Sequence, residues 1–174
     1  MISLVPMSRE LFHELNRGFE YDPMLFADME LFERAKRQTY DPAVTDNRFD
    51  DRMKRAGTIT FAVMLEGSVI GEVLLKRIDR ENRACELGIH LINDSVKGNG
   101  HGTEAERLAI SYAFNELGLE TVFADSIIKN VRSQHILEKL GFEFLREDDG
   151  FRYYKLDRVR FNDKQVHIDQ GEKL

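Results

Sequence analysis

The sequence predicts an α/β fold: a central, twisted, mixed sheet that is mostly antiparallel, flanked by helices and holding one strand–helix–strand crossover. From Thr58 the apolar period changes to two in three runs parted by short turns, "TITFAVMLE", "VIGEVLLKRID" and "RENRACELGIHLI", which reads as antiparallel strands. A helix-length amphipathic run then separates the third of these from a β-branched stretch, "ETVFADSII". A connection of that length suits a crossover to a parallel neighbour and not a hairpin.

In chain order, a short strand at residues 2–5 precedes "MSRELFHELNRGFEYDP", where Ser8 is placed to cap a helix carrying Leu11, Phe12, Leu15 and Phe19 on one side. "DMELFERAKRQTYDP" and "NRFDDRMKRAGT" read as further short charged helices, with loop breaks at Asp22-Pro23 and Asp41-Pro42. The three strands follow. The crossover helix is predicted to run to about Leu117, with Gly118 ending it and Ala105, Leu108, Ala109, Tyr112 and Ala113 on its buried face. After "ETVFADSII", Asn130 caps "VRSQHILEKLGF", whose helix ends at Gly141. A hairpin, "FEFLRED" and "FRYYKLDR" around Asp149-Gly150, closes the pattern, with Tyr153 and Tyr154 on opposite faces.

With 174 residues and globular composition, 42% apolar and 32% charged, the chain reads as a single domain, 1–174. It divides into a helical region at about 8–56 that reads as a cover over the rest, a core at about 58–160 and a polar tail at 161–174. Acids outnumber bases by 31 to 25, a net charge of −6, which disfavours a nucleic-acid partner and leans toward a cationic small substrate. The first 20 residues hold no long uncharged run, so no signal peptide or membrane partner is expected, and the cytoplasm is the expected location. The single cysteine, Cys85, allows no intrachain disulfide and makes a thiol-ligated metal site implausible; no metal is expected.

The most informative stretch is "LINDSVKGNGHGTEAERLAISYAF" at residues 91–114. Gly98, Gly100 and Gly102 stand at a helix entrance, where unpaired N–H groups and the positive dipole end can wrap a pyrophosphate, with Lys97 as an added cation. A plainer reading makes Thr103 and Glu106 a capping box, which leaves the three glycines unexplained. A dinucleotide fingerprint also matches formally: Gly100, Gly102 and Ala105 fit G-x-G-x-x-A, and Asp125 lies 20 residues beyond Ala105. Its context is poor, because "NDSVK" separates the glycines from the strand and only one crossover is predicted.

Taken with "NVRSQHILEKLGF" nearly 30 residues on, the stretch resembles the GNAT N-acetyltransferase superfamily, especially its RimJ/RimL-like ribosomal-protein branch. The similarity spans about residues 58–158. The resemblance implies acetyl-CoA as co-substrate, its pyrophosphate on the loop Lys97, Gly98, Asn99, Gly100, His101, Gly102 and Thr103. It implies that the pantetheine arm meets the backbone at Leu91 and Ile92, with Asn130 and Ser133 contributing from the second motif. Lys97 stands where Gln or Arg is usual, so the charge is kept while the geometry differs.

The implied reaction is direct acetyl transfer, in a ternary complex, to a primary amine held against the helical region at about 8–56: a protein N-terminus, a polyamine or another small amine. It needs a proton acceptor for the ammonium and stabilisation of the leaving thiolate, but no protein nucleophile. Strand alternation puts Glu86, Gly88, His90 and Ile92 on one face. Glu86 is the first candidate base and His90 the second. Many members of the superfamily carry a tyrosine acid where this chain has Leu137, so Ser133 becomes the candidate for protonating or hydrogen-bonding the sulfur. Two rival functions are an NAD-type oxidoreductase using the fingerprint and a catalytically silent acyl-CoA-binding regulator. The last hairpin exposes an edge strand, which makes a homodimer possible.

Overall fold

The computed structural model describes residues 1–26 and 28–169, apart from the side chains of residue 25 and of 166–169. Seven strands form one sheet: β1 (Ile2–Pro6), β2 (Ile59–Leu65), β3 (Ser68–Asp79), β4 (Ala84–Leu91), β5 (Thr121–Ile127), β6 (Glu143–Asp148) and β7 (Phe151–Asp157), in the order β1-β2-β3-β4-β5-β7-β6. The helices are α1 (Arg9–Gly18), α2 (Met29–Lys36), α3 (Pro42–Met53), α4 (His101–Asn115), α5 (Val131–Leu140) and α6 (Arg158–Asp169). The fold class is the expected one. Among the described residues β4–β5 is the one parallel pair, so the successive parallel units of a dinucleotide-binding fold are absent and the fingerprint match is a coincidence of spacing.

Strand alternation sorts the core. One sheet face carries Val63, Val73, Leu75, Cys85, Leu87 and Val122 into a cluster with Ala109, Ile110 and Phe114 of α4. Each large side chain buried there contributes roughly 1.5–3 kcal/mol. The other face carries Ala62 against Phe12 and Leu15 of α1. Thus α4 packs behind the sheet while α1 lies in front of it.

Several boundaries differ from expectation. Asp41-Pro42 is no break: Asp41 caps α3 through Val44 N at 3.0 Å, and Pro42 takes the first helical position, where its missing N–H costs nothing. Asp22 likewise caps a short 3-10 turn, Pro23–Leu25. α4 ends at Asn115, short of Leu117. The polar tail is helical to Asp169 and is anchored by Phe161, buried against Phe114 with ring centroids 5.5 Å apart. Its last residues, 170–174, lie outside the described residues. Thr103 and Glu106 form no capping box: Gly100 is the N-cap, no side chain caps α4, and Glu106 is buried at 3% exposure.

Candidate active site

The feature that organises the site is a parting of strands. β4 and β5 pair from Ala84↔Thr121 to Leu87↔Ala124, and the ladder stops there although both strands continue. Ile92 N donates to Ile70 O at 2.8 Å, on the β3 side. Alternation then turns the backbone N–H and C=O of Ile89 and Leu91 toward the β5 side, where no strand meets them. Ile92 is differently engaged: its N–H is spent on β3 and its carbonyl accepts from Glu20 N at 2.8 Å. Of the two predicted backbone contacts for a pantetheine arm, Leu91 has its groups facing the opening.

The glycine loop sits over that opening. A 3-10 turn, Asp94–Val96, leads into it, capped by the Asn93 side chain. Gly98 and Gly100 have φ of 82° and 80°, a left-handed conformation that a side chain would strain, and Gly100 turns directly into α4. With no side-chain cap, the first-turn N–H groups of α4 stay available. At Gly102 a Cβ would meet Leu91 Cδ1 at 3.5 Å, an ordinary contact, so folding does not demand glycine there. This bare backbone, which folding does not demand at Gly102, beside an uncapped helix end and an open strand edge, fits a pyrophosphate and pantetheine arm.

Other loop residues are occupied within the chain. Lys97 Nζ lies 2.5 Å from Asp22 and 2.8 Å from Asp94, with 14% of its side chain exposed. Burial disfavours its charge, but the two carboxylates prevail and its pKa is raised. Its charge therefore ties the segment after α1 to the loop. His101 Nδ1 folds back to Val96 O at 3.2 Å. Asn99 is exposed and Thr103 half-buried. Asn130 caps α5, its Oδ1 accepting from Ser133 N at 3.2 Å, which leaves the half-buried Ser133 hydroxyl on the first turn of α5.

On the α1 side of the sheet a cavity of about 930 Å³ lies between α1, α3 and the β3–β4 ladder, with Glu72 and His90 in its wall. Most of its lining comes from the 8–56 region. Glu72 and His90 are cross-strand partners, and Gly71 next to them permits the close approach: a Cβ there would lie 2.5 Å from the His90 carbonyl oxygen. His90 Nδ1 lies 3.4 Å from Glu72 Oε1, and the Arg52 guanidinium of α3 pairs with Oε2 of the same carboxylate. Burial pushes the Glu72 carboxyl up, yet the His90 hydrogen bond and the Arg52 charge hold it below its ordinary value. His90 keeps 45% of its side chain exposed toward the cavity.

Glu86, the first expected base, is on the predicted face but outside this cavity, in a surface pair with Arg77 at 2.5 Å. Cys85 is buried, and burial first, then Glu86, pushes its thiol up to about 12, so it offers no thiolate. Tyr154 is fully buried and Tyr153 lies under Arg146, 3.9 Å from its guanidinium carbon. Among the described residues no His, Cys, Asp and Glu cluster could hold a metal, and no helix is long and apolar enough to cross a membrane.

Sequence reasoning missed Glu72 and Arg52. An acid inside the apolar run "SVIGEVLL" was a signal for the first. Nothing local marked Arg52, on a charged helix. Glu106, an acid on the sheet-facing stripe of α4, was a second signal of the same kind: its carboxyl is buried, its Oε2 has no partner, and burial raises it to about 8.

Comparison with known proteins agrees with this geometry. Residues 10–143 match the family described as Acetyltransferase (GNAT) domain. YdaF of Bacillus subtilis (strain 168), which carries the name of a ribosomal N-acetyltransferase, is 34% identical over 84 residues, 48% of this chain and 45% of its own length. Spermidine N(1)-acetyltransferase of Escherichia coli (strain K12) is 32% identical over 97 residues, 56% of this chain and 50% of its own. The match thus spans about half the length of these curated relatives. Among solved structures, a probable acetyltransferase superposes with a TM-score of 0.73 at 20% identity, covering 91% of this chain and 93% of that one. Spermidine N-acetyltransferase from Vibrio cholerae in complex with CoA and spermine gives 0.70 at 16%, covering 92% and 98%. At such identities the two structures speak for the fold alone.

Proposed function

This chain belongs to the GNAT acetyltransferase family, and on that premise we propose that it transfers the acetyl group of acetyl-CoA to a primary amine held in the cavity beside His90. What supports this most is the conjunction of two openings on one strand. The edge of β4 at Ile89 and Leu91 faces the gap beneath the glycine loop, while His90, between them, faces the cavity. The Vibrio cholerae relative is in complex with CoA, which is what acetyl-CoA becomes once the acetyl group has left.

When bound, acetyl-CoA supplies an acyl carbon already activated as a thioester. The backbone of Gly98, Gly100 and Gly102 and the first turn of α4 would hold its pyrophosphate, and Leu91 its pantetheine amides. Arg52 keeps Glu72 ionised, and Glu72 accepts the Nδ1–H of His90. That tautomer leaves the Nε2 lone pair to take a proton from the acceptor ammonium, and Glu72 stabilises the imidazolium that results. We assign the proton-accepting role to His90 ahead of Glu86, because His90 alone of the two lines the cavity. Leu137 is buried and has no acid group, so the Ser133 hydroxyl is the donor proposed for the departing sulfur.

Thermal unfolding with acetyl-CoA, CoA or NAD in large excess tests the co-substrate, since about 100 times Kd adds roughly 2.7 kcal/mol. Stabilisation by the first two and not by NAD is expected; stabilisation by NAD alone would overturn the reading. Release of CoA in the presence of a panel of amines then separates an enzyme from a silent acyl-CoA-binding regulator, which would bind without turnover.

A further inference from the structure

The cavity that carries Glu72 and His90 has a charge opposite to that of the chain. Although the protein bears −6 overall, four arginines line this cavity, Arg17, Arg37, Arg48 and Arg52, against two carboxylates, Asp41 and Glu72. Neither carboxylate is free. Asp41 caps α3 through Val44 N, and Glu72 is held by Arg52. Among the described residues no carboxylate lies within ion-pair distance of Arg17, Arg37 or Arg48.

These three guanidinium groups come from three separate places: the last turn of α1, the C-cap of α2 and the middle of α3. Arg48 and Arg52 stand four residues apart, so α3 presents both along one face with Val44 and Thr45. Arg17 is set by its stack on the Tyr40 ring, 5.2 Å to the centroid, and Tyr40 is fixed in turn by a 2.7 Å hydrogen bond to His13 Nδ1. Unpaired, exposed and converging on one concavity, they raise the local potential for anions and repel polycations.

Resting on the acetyl-transfer reading, we propose that the acceptor is a small amine carrying its own carboxylate, of the amino-acid kind, and not a polyamine. A guanidinium fork matches a carboxylate with two parallel N–H···O bonds. Anchoring the carboxylate at the arginines leaves the amine to be presented to His90. Spermidine, which the Escherichia coli and Vibrio cholerae relatives are named for, is a cation along its whole length and meets three uncompensated cations here.

The test is CoA release with matched acceptors: L-amino acids, their carboxamides, aminoalkylphosphonates, spermidine and a short peptide. The expected result is a kcat/KM for each amino acid roughly 10- to 100-fold above that of its amide, the range for charge-assisted hydrogen bonds. That ratio should collapse toward unity in Arg17→Ala and Arg48→Ala, two exposed positions where folding is not at stake. Equal rates for acid and amide, or spermidine or the peptide as the best acceptor, would overturn the proposal, and a phosphonate outrunning the acids would overturn the choice of carboxylate. Calorimetry with N-acetyl amino acids and their amides keeps the question separate from turnover. Binding of the acid alone, lost in the arginine variants, would uphold the acceptor class even if no amine were acetylated, whereas binding of neither would sink it.

Discussion

His90 and Glu72 face each other across the β3–β4 ladder, Nδ1 to Oε1 at 3.4 Å, and Arg52 of α3 holds the second oxygen of the same carboxylate. The three residues come from a helix and two strands, 20 and 18 positions apart in the chain, and together they orient the His90 ring.

His90→Ala is therefore expected to lower kcat by about 10²- to 10⁴-fold, the range for loss of a positioned proton acceptor, read as CoA release under saturating acetyl-CoA. Glu72→Gln should lower kcat less and also destabilise the fold by roughly 2–3 kcal/mol. That is somewhat less than the ~3–5 kcal/mol for breaking a fully buried pair, because Arg52 keeps 18% of its side chain exposed. The Glu72 carboxyl is held low in the folded state, so its contribution is present above the ordinary carboxylate range and disappears as pH falls through the lowered value. Urea unfolding of both proteins across the acid range measures this; an unchanged difference between them at low pH would contradict it.

Glu106 makes the opposite prediction. Buried without a partner for Oε2, its carboxyl is raised to about 8. Below the ordinary carboxylate range both folded and unfolded chains hold the proton and nothing is lost. As pH rises toward about 8 only the unfolded chain ionises, so stability falls. Glu106→Leu should remove this penalty, adding on the order of 2–5 kcal/mol near pH 8 and little at pH 4. Equal gains at the two pH values would show that packing, and not protonation, is at work.

Gly102 separates folding from co-substrate binding. A Cβ there meets only ordinary contacts, and alanine improves helix propensity, so Gly102→Ala should change stability by less than about 1 kcal/mol in either direction. Acetyl-CoA affinity should nonetheless fall, because the methyl group enters the cradle at the first turn of α4. Calorimetric titration of wild type and variant decides it, and an unaltered Kd would place the pyrophosphate elsewhere.

Lys97 and Asp22 should behave as a structural tie. Removing either partner is expected to loosen the glycine loop, and a double-mutant cycle with Lys97→Met and Asp22→Asn should give a coupling of about 1–2 kcal/mol, between the values for exposed and fully buried pairs. Since the Lys97 pKa is raised, the stabilisation is complete below its unfolded value and is lost as pH rises through the higher folded one. Absence of coupling would return Lys97 to the role of a free cation for phosphate.

Much of the fold was legible because it is written in short-range pattern. Period-two runs became β2, β3 and β4, Ser8 and Asn130 became caps, and Gly141 ended α5. The glycine loop was legible for the same reason: a left-handed backbone at a helix entrance selects its residues locally. One local reading failed where a longer-range interaction prevailed, and a second residue has a partner that no local pattern announced. Glu106 looked like half of a capping box, but its position on the sheet-facing stripe of α4 carried it into the core. Lys97 reads locally as a phosphate ligand, and only the fold shows its ion pair with Asp22, 75 residues earlier.

The sequence by itself determined the strands, the crossover and the bare backbone above it, since each depends on residues within a few positions of one another. Only the tertiary structure decided which acid faces His90, that Glu86 turns to Arg77 at the surface, and that arginines from α1, α2 and α3 converge on one cavity in an acidic protein. Charges act through space and not along the chain, so neither net charge nor motif spacing could reveal which of them the fold brings together.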